Sequence, residues 1–175
     1  MRTAFAISNY FIEKDISESQ QVSPMKLQKM LYFSYGWYSA IKNDTLFKEH
    51  FQAWAYGPVV SEVYHEVKKY GNNSITSLIS NYFGDESDMF SFKLNTPKIK
   101  DDNIEFKAFL HEMWNIYSKH SAIALSEMTH IDGSPWKKTI ENNNNKITVG
   151  IEIEYDLIKS YFSEQLREIS TKTAV

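Results

Sequence analysis

The chain has 175 residues and a formal charge of -3, from 19 Lys+Arg against 22 Asp+Glu. At this length one domain buries roughly 70% of the surface its unfolded chain exposes, so a core can form without disulfides or metals. Cysteine is absent, which excludes disulfides, thiolate nucleophiles and Cys-based metal sites. No run approaches the roughly 20 consecutive apolar residues of a membrane-spanning helix, and the N-terminus lacks the basic start and apolar run of a signal peptide. A cytoplasmic protein without a membrane partner is expected. Arg2 and Arg167 are its only arginines, and the densest basic runs are the pairs Lys68-Lys69 and Lys137-Lys138. Phosphate tracking needs a basic stripe, so charge argues against nucleic acid as a partner. The 4 Trp, 11 Tyr and 11 Phe make 15% of the chain and can serve a core or a partner surface.

Ala4, Ile7, Tyr10 and Phe11 recur at helical spacing, and a loop follows from Asp15 to Gln21. Ser23-Pro24 is a helix start, because the hydroxyl accepts from an orphan N–H while proline takes the first helical position. Leu27, Leu31, Ser34, Tyr38 and Ile41 share one face of this helix, widened by Met30, Phe33 and Trp37, so it is read as the central core helix. From Leu46 to Tyr56 the period changes to alternation, with Phe51, Ala53 and Ala55 on one side and Trp54 and Tyr56 on the other. Gly57-Pro58 is expected to break this strand and open a helix striped by Val60, Val63, Val67 and Tyr70, which Gly71 ends.

Residues 74–100 show no period, and we read 72–103 as a variable insertion. Asp101 or Asp102 is expected to cap a helix carrying Phe106, Phe109, Leu110, Met113, Trp114 and Tyr117. Ser121 starts a short helix with Ala122, Leu125 and Met128, and Ser134-Pro135 starts another that carries Trp136. Ile147, Val149, Ile151 and Ile153 alternate as a strand that can pair with the one near Phe51. A final helix from about Tyr155 presents Ile158, Tyr161, Phe162, Leu166 and Ile169 to the core, and residues 170–175 are read as a frayed tail. The expected fold is mainly α: a single-domain bundle of about six to seven helices over residues 1–175, with a small β element near residues 46–56 and 147–153.

Plain packing competes with each catalytic pattern in the sequence. His111-Glu112 would need a second histidine at position 115, where Asn115 stands, so the zinc-protease helix fails. Ser126, Glu127, Thr129, His130 and Asp132 crowd a helix end, but no nucleophile elbow or oxyanion loop accompanies them. A structural role is favoured, with His130 meeting the free carbonyls of the helix terminus. With six glycines, no pair stands in phosphate-loop spacing. Tyr32, Phe33, Tyr35, Trp37 and Tyr38 are read as core rather than a base-stacking platform. We therefore expect no enzyme, no cofactor and no metal.

The run from Ser23 through Phe33, Ser-Pro-Met-Lys-Leu-Gln-Lys-Met-Leu-Tyr-Phe, continuing to Gly36-Trp37-Tyr38, resembles the opening signature of the Panacea domain family of SocA-like antitoxins and GepA-type phage-associated proteins. Phe51-Gln52-Ala53-Trp54 with Tyr56-Gly57-Pro58-Val59-Val60 is similar to its second block, and Leu125 to His130 with Ser134-Pro135-Trp136 to a third. The resemblance implies an antitoxin of a two-gene, often prophage-borne system that neutralises a co-encoded protein toxin by direct contact. The alternative is an adaptor that delivers a partner to a cytoplasmic protease or modulates a host process for a phage. It also implies that many members carry an additional domain for toxin choice; here that role is expected in the Panacea domain itself, around 72–103. The signature residues Pro24, Lys26, Leu27, Gln28, Lys29, Tyr32, Gly57, Pro58, His130, Pro135 and Trp136 are read as scaffold. Trp54, Tyr56, Tyr82, Phe83, Phe90 and Phe92 are the candidate partner-binding residues.

Overall fold

A computed structural model describes residues 2–83, 93–100 and 102–173. It is mainly α and is organised around the helix that Ser23-Pro24 begins. In α2 (Pro24–Lys42) the Ser23 hydroxyl accepts from the Lys26 N–H, and Asn43 closes the far end in the left-handed conformation. Leu27, Met30, Leu31 and Tyr32 are fully buried. Such burial all round a helix requires neighbours on every side. α1 (Ala4–Glu18), α4 (Ile104–Tyr117), α5 (Ala122–Thr129) and α7 (Tyr155–Thr173) all pack on α2, as does α3 (Ser61–Val67). α6 (Pro135–Asn142) bridges α5 and α7. No helix among the described residues is long and apolar enough to cross a membrane.

The core is largely aromatic. Phe162 of α7 meets Tyr32, Phe33 and Trp37 edge-on at centroid distances of 5.7, 6.3 and 5.1 Å. Phe33 stacks on Tyr117 at 4.7 Å, and Tyr32 meets Phe51 at 5.4 Å. Edge-to-face and offset pairs of this kind contribute about 0.5–1.5 kcal/mol each beyond the area they bury. Trp114 is fully buried, while Trp37 and Phe109 pack against the cluster from its margin.

Several local expectations change in three dimensions. Gly57-Pro58 does not open a helix: Gly57–Val59 form β2, paired antiparallel with β1 (Gln52–Trp54) through a two-residue turn. Gly57 has φ +98°, outside any helix, and the helix begins only at Ser61. The Ile147–Ile153 segment does pair where expected, on the free edge of β1, but as a single bridge between Gln52 and Glu152. Ala53 N–H donates to Ile151 O and Ile153 N–H to Phe51 O. Gly150 at φ +82° turns the chain and leaves Val149 fully exposed, which ends the alternation. Within the segment without period lies a short hairpin, β3 (Asn81–Phe83) with β4 (Lys93–Asn95). Its root is held by buried Asn9, whose amide donates to Ile79 O and Pro97 O and accepts from Ile79 N–H. α4 takes Asn103 as its N-cap residue, with no side-chain bond, in place of an aspartate. Ile41, Met128 and Ile169 are exposed rather than core, because the last turns of α2, α5 and α7 run out to the surface. α7 remains helical through Thr173.

Candidate functional site

Of the buried polar side chains on α2, Lys26, Gln28 and Lys29 each reach a backbone group far away in sequence. Lys26 Nζ donates to Gln20 O and Ser118 O at 2.7 and 2.6 Å, tying the α1–α2 loop to the end of α4. The Gln28 amide donates to Val60 O and accepts from Val60 N–H, at 3.1 and 2.8 Å, satisfying both backbone groups of one residue. Removing it orphans two buried groups at about 1–3 kcal/mol each. Lys29 Nζ donates to Pro58 O at 3.0 Å. The β1–β2 hairpin and the start of α3 are thus pinned to α2 by side chains that look solvent-facing in the sequence.

The far side of the hairpin is fixed by α5 and α6. Ser126 Oγ donates to Tyr56 O, and Trp136 Nε1 to Trp54 O at 2.8 Å. His130 is the C-terminal cap residue of α5: its Nδ1 lies 2.7 Å from Ser126 O, its Nε2 3.2 Å from Ala55 O, and its ring rests on Trp136 at 3.9 Å. The hydroxyls of Ser126, Thr129 and Ser134 all donate to carbonyls, and Thr129 Oγ1 also lies 3.2 Å from His130 Nδ1.

Between these pins lies a groove of about 990 Å³, at the upper end of the roughly 300–1,000 Å³ usual for binding pockets. One wall is the start of α2, with Pro24, Met25, Gln28 and Lys29; another is the hairpin, with Trp54, Ala55, Tyr56 and Val59. Tyr64 and Lys68 enter from α3 and the turn after it, and Ile123, Glu127 and His130 from α5. Tyr56 is 73% exposed and Ile123 66%, while Trp54 is half-buried and meets Tyr64 at 4.7 Å. The structure therefore brings Trp54 and Tyr56 together on one concavity with Lys29 and His130. Tyr82 and Phe83 lie in β3, opposite Leu94 and Lys93, and no described hairpin residue lines the groove. Phe90 and Phe92 lie outside the described residues. Pro135 is buried at the start of α6, Leu27 and Tyr32 are core, and Gly57 and Pro58 underlie the groove wall.

Met25, Tyr64, Lys68 and Ile123 were missed by sequence reasoning. Only Ile123 leaves a trace there, as an apolar residue out of phase with the Leu125 stripe. A second cavity of about 310 Å³ near α2 and α4 contains Arg2 and Lys42, which pair with Asp44 and Glu105. Two of its three lining cations, Arg2 and Lys42, are thereby neutralised.

Residues 27–137 match the family described as Antitoxin SocA-like, Panacea domain. The chain belongs to this family. A curated relative, "Antitoxin SocA" of Caulobacter vibrioides (strain NA1000 / CB15N), is 26% identical over 170 residues, covering 95% of this chain and 86% of the relative. No solved structure matches. The matched region runs from Leu27 in α2 to Lys137 at the start of α6, so it contains the groove-lining residues except Pro24 and Met25.

Burial pushes the Lys29 ammonium down to about 7 and lowers Lys26 in the same direction, against the raising field of Asp15. The unfolded chain holds these protons to about pH 10.4. Between the two values the unfolded state binds more protons, so stability rises with pH, by at most about 1.4 kcal/mol per unit from Lys29 alone. Tyr32 and Tyr117 are raised by burial, the latter to about 12, so their ionisation reverses the trend above about pH 10. The urea midpoint is expected to climb from pH 7 to 9 in the native sequence and to lose most of that slope in Lys29→Met. An unchanged slope in the variant would contradict this assignment.

Proposed function

We propose that this protein is a non-catalytic antitoxin that neutralises a co-encoded toxin by direct protein–protein contact, and that the toxin docks in the groove between α2, the β1–β2 hairpin and α5. The observation that carries this reading is the position of Tyr56 and Ile123: large apolar side chains left exposed at the mouth of a concavity whose walls are otherwise tightly pinned. Partner hot spots favour such aromatic anchors beside preformed pockets. Family membership and the antitoxin name of the Caulobacter relative support it. Trp54, Tyr56 and Ile123 are the anchors, and the signature residues Gln28, Trp136 and His130 act as scaffold that holds the hairpin in place.

The test is co-expression with the product of the adjacent reading frame. Growth should be restored and a stable complex recovered, with the toxin's cellular level unchanged. A toxic neighbour that this protein neither relieves nor binds would overturn the proposal, and a falling toxin level would point instead to delivery to a protease.

A further inference from the structure

The groove has a charged floor that its apolar walls do not explain. Lys29 is 1% exposed, and its side chain passes so close beneath the hairpin that a Cβ on Gly57 would lie 3.0 Å from Nζ and 2.4 Å from Thr129 Oγ1. The bond to Pro58 O employs one of three ammonium donors. No carboxylate among the described residues lies within ion-pair distance of it. Burying an ammonium costs several kcal/mol, and a single neutral carbonyl offsets only part of that. Among the other titratable groups lining the groove, Lys68 and His130 are basic, Glu127 is acidic and exposed, and Tyr56 and Tyr64 contribute phenols. The concavity is therefore basic at its base and apolar along Trp54, Val59, Tyr64 and Ile123. A phosphate would need several donors converging on it, whereas one ammonium between apolar walls suits a single carboxylate flanked by hydrophobic groups.

We infer that the floor of the groove receives one acidic side chain of the docked toxin, set between apolar residues, which pairs with the Lys29 ammonium. The inference rests on the reading that the toxin docks in this groove. Pairing also explains why an amine held near the neutral range by burial is kept at this point of the wall: a carboxylate restores its charge only when the partner is seated.

Two capped peptides test it, one with glutamate between leucine and phenylalanine and one with glutamine in its place, titrated calorimetrically against the full chain. At pH 6 the glutamate peptide is expected to bind at least tenfold more tightly. The preference should shrink as pH rises to 9, because the free ammonium is then lost, and should vanish in Lys29→Met. Equal binding of the two peptides, no binding of either, or a preference that survives Lys29→Met would overturn the inference. So would a peptide with a free C-terminus and no acidic side chain that binds as well as the glutamate peptide. The comparison in the native chain stands even where the variant fails to fold. Rescue of growth with no peptide discrimination would sink the acidic site alone; discrimination without rescue would sink the toxin reading and leave the site.

Discussion

Gly36→Ala is expected to destabilise the protein by about 1.5–5 kcal/mol, although alanine is the better helix former by about 1 kcal/mol. A Cβ at Gly36 would lie 2.2 Å from Cδ2 and Cε2 of Phe162 and 2.6 Å from Cγ, where carbon atoms normally stand about 3.5–4.0 Å apart. The ring cannot swing aside, because Tyr32, Phe33, Trp37 and Tyr161 surround it and it is fully buried. Relief requires α7 to move off α2, its most extensive neighbour. Overpacking costs about 1–3 kcal/mol, and loss of Phe162 burial adds up to about 1.5–3 kcal/mol when it is complete. The clash therefore outweighs the helix propensity. Against a total stability of about 5–15 kcal/mol, the change should lower Tm by about 3–20 °C. Adding Phe162→Ala should cost less in the Gly36→Ala background than alone. Strict additivity in that double-mutant cycle would place the strain elsewhere.

The pair Tyr56→Asp and Ile123→Asp should abolish rescue of growth while leaving Tm within about 4 °C. Both side chains are largely exposed, and exposed substitutions usually stay within about 0.5 kcal/mol. The backbone contact that fixes the hairpin, Ser126 Oγ to Tyr56 O, does not involve the replaced side chain. Ile123 lies in the first turn of α5, where a carboxylate is favoured by the helix dipole. At the interface the effect is opposite. Hot-spot anchors contribute about 2 kcal/mol or more each, so losing two weakens the complex about a thousandfold. Complex formation measured by calorimetry, beside growth, checks this; undiminished affinity would move the docking surface away from the groove.

The helix starts were legible because capping is local chemistry. Ser23, Ser121 and Ser134 each accept from the N–H three residues on, as their spacing predicts, and Pro24 and Pro135 occupy the first helical position. The aromatic stripe of α2 was legible for a related reason: burial follows the helical period where neighbours surround the axis. The candidate site was only half legible. Trp54 and Tyr56 could be separated from Phe51 and Ala53 by strand alternation, and the structure brings them into the groove. Tyr64, Lys68 and Ile123 could not be associated with them, since nothing in local periodicity joins a β-turn, the end of α3 and the outer face of α5.

What the sequence by itself determined is the approximate set of helices, the serine-capped starts of α2, α5 and α6 and most of the aromatic core, all of which follow from propensity and spacing within a few turns of chain. Tertiary structure decided the meaning of the polar residues inside the family signature. Lys26, Gln28 and Lys29 bond to partners as far away as Ser118, Val60 and Pro58. Whether a polar head group faces water or a buried carbonyl depends on which distant segment folds over it, and no periodicity encodes that. The same long-range placement packed most of the described aromatic residues into the core and left Tyr56, beside Ile123, exposed at the mouth of one groove.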